Sequence, residues 1–140
     1  METLDMDELR TRLQGVFETR KVRLALLFGS AAAGKLRPDS DVDVAVDFDP
    51  AVDFRERLGL AGDLSEAAGP GFGREFDIGY LDRADPLFLK KIFETAVLLH
   101  GPPAQFAAWR LKAFHAYEDF RPYLKIERAA ALRVADRMAS

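Results

Sequence analysis

Apolar positions along the chain fall into two kinds of spacing, and each predicts its own element. Leu9, Leu13, Val16 and Phe17 recur at helical intervals in an otherwise polar stretch, which predicts an amphipathic helix from about Asp5 to Thr19, with Gly15 as its weakest position. The run Val22 to Phe28 is short and largely apolar and stops at Gly29-Ser30, the pattern of a buried strand that ends in a tight backbone turn. A small-residue segment, Ala31 to Gly34, and a loop, Lys35 to Ser40, lead into Asp41-Val-Asp-Val-Ala-Val46. There acid alternates with apolar at period two, which predicts a second strand.

Phe54, Leu58, Ala61, Leu64 and Ala68 mark a second amphipathic helix, which the glycine-rich segment Gly69 to Gly73 must end. A third strand is predicted over Glu75 to Leu81. Asp85-Pro86 then reads as an N-cap with proline in the first turn, opening a helix through Phe88, Leu89, Ile92 and Phe93. Val97 to Leu99 fits a short edge strand. From Pro103 onward Phe106, Trp109, Ala113 and Tyr117 continue at helical spacing; a break is predicted near Arg121-Pro122, before a last helix with Leu124, Ala131 and Leu132. The fold class is α+β: a small mixed sheet flanked by helices, with further helices at the C-terminal end.

With 140 residues, 49 % of them hydrophobic, the chain can bury one real core but would be cramped as two domains. One domain over residues 1–140 is expected, with a core of about 5–100 and a helical part of about 103–140. The absence of cysteine excludes disulfide frameworks, thiol nucleophiles and cysteine-rich zinc sites, so a metal must be held by oxygen or imidazole. The net charge of −3 gives no general pull on nucleic-acid phosphates, and no strong basic patch is visible, so direct nucleic-acid binding is not expected. No segment has the apolar length of a membrane span, and the acidic N-terminus lacks the order of a secretory signal, which makes the cytoplasm the expected location.

The candidate chemistry sits on the second strand. Residues two apart on a strand point to the same face, so Asp41 and Asp43 present their carboxylates side by side. Two like charges held together call for a cation, and hard oxygen donors at that spacing suit Mg²⁺ better than Zn²⁺. Gly29-Ser30 at the end of the first strand lets backbone approach a phosphate, to which the serine hydroxyl and neighbouring N–H groups can donate. A third carboxylate, Asp77, lies in the run Glu75 to Leu81, where Phe76, Ile78 and Tyr80 supply the opposite face. Three aspartates around two metals would stabilise the attacking and leaving oxygens of an in-line phosphoryl displacement, with the third helping to deprotonate the attacking hydroxyl.

Gly29-Ser30, ten residues, then Asp41-Val42-Asp43 resembles the glycine-serine and aspartate-x-aspartate signature of the DNA polymerase β nucleotidyltransferase superfamily. Leu-Phe before Gly29, Val44-Ala-Val46 after Asp43 and the loop Arg37-Pro-Asp-Ser40 resemble its flanks. The short length, Phe76-Asp77-Ile78 and the tail His115 to Pro122 are most similar to the minimal nucleotidyltransferase antitoxins paired with HEPN ribonuclease toxins, over nearly the whole chain. That resemblance implies transfer of AMP from ATP to a tyrosine of a partner HEPN toxin, with two Mg²⁺ ions and a hetero-oligomeric complex. It implies that Gly29, Ser30 and Ser40 hold the nucleotide. Asp41 and Asp43 would bind both metals, while Asp77 would bind one and activate the tyrosine hydroxyl. The resemblance departs at Ala33, where many relatives have an arginine before the glycine; Lys35 or Arg37 could supply that phosphate contact.

Other features read more plainly. Gly69 to Gly73 lacks the lysine and hydroxyl residue of a P-loop and follows a helix, so it is a connection. His100 and His115 are far apart and unaccompanied by ligand clusters. Phe106, Trp109, Tyr117 and Phe120 sit at helical spacing as packing residues, and Arg121, Lys125, Arg128, Arg133 and Arg137 read as a solvated face or a partner surface. Two other functions share these residues: an antitoxin that neutralises its toxin by binding alone, and a nucleotidyltransferase acting on a small-molecule or RNA hydroxyl. The shortness of the chain beyond its core favours an acceptor carried on a partner protein.

Overall fold

A computed structural model describes residues 5–34 and 40–139. The elements run α1 (Met6–Thr19), β1 (Val22–Phe28), α2 (Gly29–Ala32), β2 (Val42–Phe48), α3 (Phe54–Arg57), α4 (Leu60–Ala68), β3 (Phe76–Tyr80), a 3-10 turn (Leu81–Arg83), α5 (Pro86–Thr95), β4 (Val97–His100) and α6 (Pro103–Ala139). The predicted loop Lys35 to Ser40, with the phosphate contacts suggested at Lys35 and Arg37, lies outside the described residues except for Ser40.

The four strands form one mixed sheet in the order β3-β2-β1-β4. β1 pairs antiparallel with β2 and β4, whereas β2 and β3 are parallel, so a crossover is needed between them and α3 and α4 supply it. Alternation along each strand sorts side chains to two faces. Val42, Val44, Val46 and Phe48 of β2 join Leu9, Leu13 and Phe17 of α1 and Leu60 and Leu64 of α4 in one core. Ala45 joins Leu24, Leu26 and Phe28 of β1, Leu89 and Ile92 of α5 and Ala113 of α6 in the other. The sheet is thus a layer between α1 and α4 on one side and α5 and α6 on the other.

Local signals explain most boundaries. Asp5 caps α1 by accepting from the amides of Asp7 and Glu8, and Asp85 caps α5 by accepting from Phe88 N, with Pro86 in the first turn. Ala31 and Ala32, placed by the sequence only in a small-residue segment, belong to the one-turn helix α2, too short to show periodicity. The predicted second helix is two. Arg20 Nη1 donates to the Glu56 carbonyl at 2.9 Å, the acceptor that a continuous helix would give to the Leu60 amide, and Arg20 Nε holds Asp63 at 2.6 Å.

The predicted break at Arg121-Pro122 does not occur: α6 runs unbroken for 37 residues with Pro122 inside it. Proline removes one hydrogen bond and crowds the preceding turn, at roughly 3 kcal/mol. That cost is local, and good helix formers such as Glu127, Ala129, Ala130, Ala131 and Leu132 carry the helix on. Inside the fold, α6 is fixed by Asp47, which is only 4 % exposed. Its Oδ2 accepts from Gln105 Nε2 at 3.3 Å and Trp109 Nε1 at 3.4 Å on α6, and from Arg23 at 2.8 Å. Trp109 and Phe106 pack against the second core, as packing residues should, and His100 stacks on Phe17 at 5.3 Å. No helix among the described residues is long and apolar enough to cross a membrane.

Candidate active site

β1 ends where the chain must turn without a side chain. Gly29 has φ +74°, in the left-handed region that favours glycine, and its amide donates to Thr95 Oγ1 at 2.8 Å. A Cβ on Gly29 would stand 2.5 Å from Asp43 Oδ2, so the missing side chain is what lets the turn pass over that carboxylate. Ser30 follows in α2, and the first amides of a helix have no acceptor within it.

Register places the acids. Phe28, the last residue of β1, pairs with Asp43 of β2, and Asp43 pairs in turn with Asp77 of β3. Partners in register share a face, so Asp43 and Asp77 stand beside one another on the face of Ala45, the side of α5 and α6. Asp41 immediately precedes β2. The Asp43 carboxyl is raised above its ordinary value of 3.8, first by burial and then by the charges of Asp77 and Asp41, while Lys91 opposes the rise. The charges of Asp77 and Asp41 therefore act on Asp43.

Toward solvent the acids open into a cleft of about 330 Å³ lined by Phe28, Asp43, Asp77, Gly79, Phe88 and Lys91, among others. That is within the usual size of a small-molecule site. Gly79 pairs with Ala45, and a Cβ on it would stand 3.0 Å from the Phe88 ring, so two small residues make room for the aromatic floor. Phe28 and Phe88 meet edge to face at 5.9 Å.

The donor set fits a hard divalent cation: carboxylate oxygens only, mutually repelling, at the mouth of a cleft. Asp41 and Asp77 are exposed, and among the described residues no three acidic or histidine side chains stand close enough together to hold a metal ion as placed. Of the sequence-predicted residues, Asp43 and Asp77 line the cleft and Gly29 lies against Asp43, with Ser30 next in chain; Asp41 is outside the lining, near enough for its charge to act on Asp43. Ser40 is not in the cleft lining; its carbonyl accepts from Arg74 Nη1 at 3.1 Å, tying the approach of β2 to that of β3. Sequence reading missed Thr95 and Lys91. Their signal was faint: two polar residues, three and seven positions after Phe88, on a helix otherwise read by its apolar stripe.

The sequence pattern of the Polymerase beta, Nucleotidyltransferase family matches residues 11–103. No curated protein matches the chain in sequence. Several solved structures share the fold. A chain of a toxin-antitoxin structure with AMP-PNP is 22 % identical, with 90 % of this chain and 97 % of that one covered and a TM-score of 0.69. A chain of a mutant MntA-HpeT toxin-antitoxin structure is 21 % identical, with 94 % and 98 % covered and a TM-score of 0.69. A chain from the structure of a tri-AMPylated Shewanella oneidensis HEPN toxin in complex with MNT antitoxin is 20 % identical, with 93 % and 98 % covered and a TM-score of 0.66.

Proposed function

Because the chain belongs to the polymerase β nucleotidyltransferase family, we propose that it is an antitoxin that transfers AMP from ATP to a tyrosine of a partner HEPN ribonuclease toxin. The observation that carries the chemistry is the register of Asp43 with Asp77, beside the turn at Gly29. The target is supported by the likeness to chains of toxin-antitoxin structures, one of which contains an AMPylated HEPN toxin. The whole of 1–140 would act as one cytoplasmic unit, with residues of about 5–100 for the chemistry and about 103–140 for the partner.

Asp41 and Asp43 would hold two Mg²⁺ ions and Asp77 one of them. Bound there, the cations would neutralise charge on the phosphates and lower the proton affinity of the acceptor hydroxyl. Gly29 keeps the turn low over Asp43, and Ser30 with the free amides of its turn orients the triphosphate; Ser40, outside the cleft lining, would contribute through its hydroxyl just ahead of Asp41. Asp77, exposed at the cleft mouth, takes the proton of the tyrosine hydroxyl. The tyrosine oxygen then forms a bond to the α-phosphorus, the bond from that phosphorus to the bridging oxygen of the β-phosphate breaks, and pyrophosphate leaves.

One observation favours a contribution from binding alone. Beyond Ala116 no described residue of α6 belongs to either core, and Tyr123, Ile126, Leu132 and Met138 are exposed along it. A surface of that kind suits a protein partner. Incubation with ATP labelled at the α-phosphate separates the readings: label on the HEPN partner supports transfer, and a stable unlabelled complex supports neutralisation by binding.

A further inference from the structure

We propose that Lys91 is a phosphate anchor for the donor nucleotide, supplied by α5 from the side of the cleft opposite the acids; this rests on the nucleotidyl-transfer reading and adds a residue to that site. Three residues on one face of α5 define the arrangement. Phe88 and Lys91 line the cleft with Asp43 and Asp77, and Thr95, one turn beyond Lys91, accepts the Gly29 amide at 2.8 Å. Lys91 therefore stands between the aromatic floor and the turn that carries Ser30.

The neighbouring lysine shows that this placement is not a general property of the helix. Lys90 forms an ion pair with Glu94 and lies over the Tyr117 ring at 5.1 Å, on the outer side. Lys91 has no ion-pair partner among the described residues, yet it lines the same cleft as Asp43 and Asp77. An ammonium group held beside carboxylates without being consumed by one of them is left to donate to a phosphate oxygen, which lysine binds as a point charge. A purely structural lysine would offset repulsion among the acids and leave nucleotide affinity alone.

Calorimetric titration of the full chain with ATP, inorganic tripolyphosphate and adenosine, each with Mg²⁺, decides between these roles. Lys91→Met is expected to weaken ATP and tripolyphosphate by about tenfold, the loss of one charge-assisted hydrogen bond, and to leave adenosine unchanged. Lys91→Arg, which keeps the charge and guards against a misfolded first variant, is expected to recover most of that loss. Native affinity for ATP in Lys91→Met, or an equal loss for adenosine, would overturn the inference while leaving the transfer reading intact. A native chain that binds no ATP would overturn both.

Discussion

Gly29 passes so close to Asp43 that a methyl group on it would stand 2.5 Å from the Oδ2 of that carboxylate. The turn and the metal-ligand candidate are thus one steric unit. Gly29→Ala must displace the acid or the turn, in addition to about 1–2 kcal/mol for a left-handed alanine. A shift near 1 Å at reacting groups lowers rate by about a hundredfold. Gly34 also has positive φ, at +73°, but open space around it. Gly34→Ala is therefore expected to cost stability alone, and thermal melts beside transfer assays of the two variants check the difference.

Asp43 gives a pH dependence whose sign follows from its environment. Its folded pKa lies above 3.8 because of burial, Asp77 and Asp41, against Lys91. Such a group favours folding fully below its unfolded value, and that contribution is lost as pH rises through the folded value. At neutral pH, without divalent ions, the native chain carries the repulsion and Asp43→Asn does not. In a chelator the variant is expected to unfold at higher denaturant than the native chain at pH near 7. The advantage should shrink as pH falls through the raised value toward 3.8. Equal midpoints at neutral pH would show that the acids do not strain one another.

Thr95 holds the Gly29 amide, so Thr95→Val keeps the shape and removes the acceptor. The expected cost is about 1 kcal/mol of stability. A looser turn should also raise the KM for ATP more than it lowers kcat. A kcat loss with an unchanged KM would place Thr95 in some other role.

These elements show how far the sequence could be read. The strands were legible because β2 alternates so plainly: Val42, Val44 and Val46 enter one core, which leaves Asp43 and Ala45 to the other face. The acids were legible for the same reason, since period two fixes which residues share a side. What could not be read depends on contacts far apart in the chain. Arg20 divides α3 from α4 by taking one carbonyl, and Lys91 and Thr95 reach the site only through the packing of α5 on the sheet. The helix through Pro122 was not legible because the cost of proline is local and is outweighed by the helix formers on either side.

Asp47 lies within β2, where nothing in the sequence marks its role. With three donors on one buried oxygen it fastens α6 to the sheet. Asp47→Ala leaves Gln105, Trp109 and Arg23 unmatched and is expected to destabilise by about 2–3 kcal/mol, measured by chemical denaturation. Pro122→Ala should do the reverse for the exposed end of α6, raising its helical circular-dichroism signal on heating.

In the proposed function Asp41, Asp43 and Asp77 drive transfer of AMP to a partner protein. Its most direct test is the intact mass of a HEPN partner after incubation with the chain, ATP and Mg²⁺, beside the Asp41→Ala/Asp43→Ala variant. A gain of one or more adenylate units is expected with the native chain and none with the variant. An unchanged mass in a stable complex, or the same gain with the variant, would contradict it.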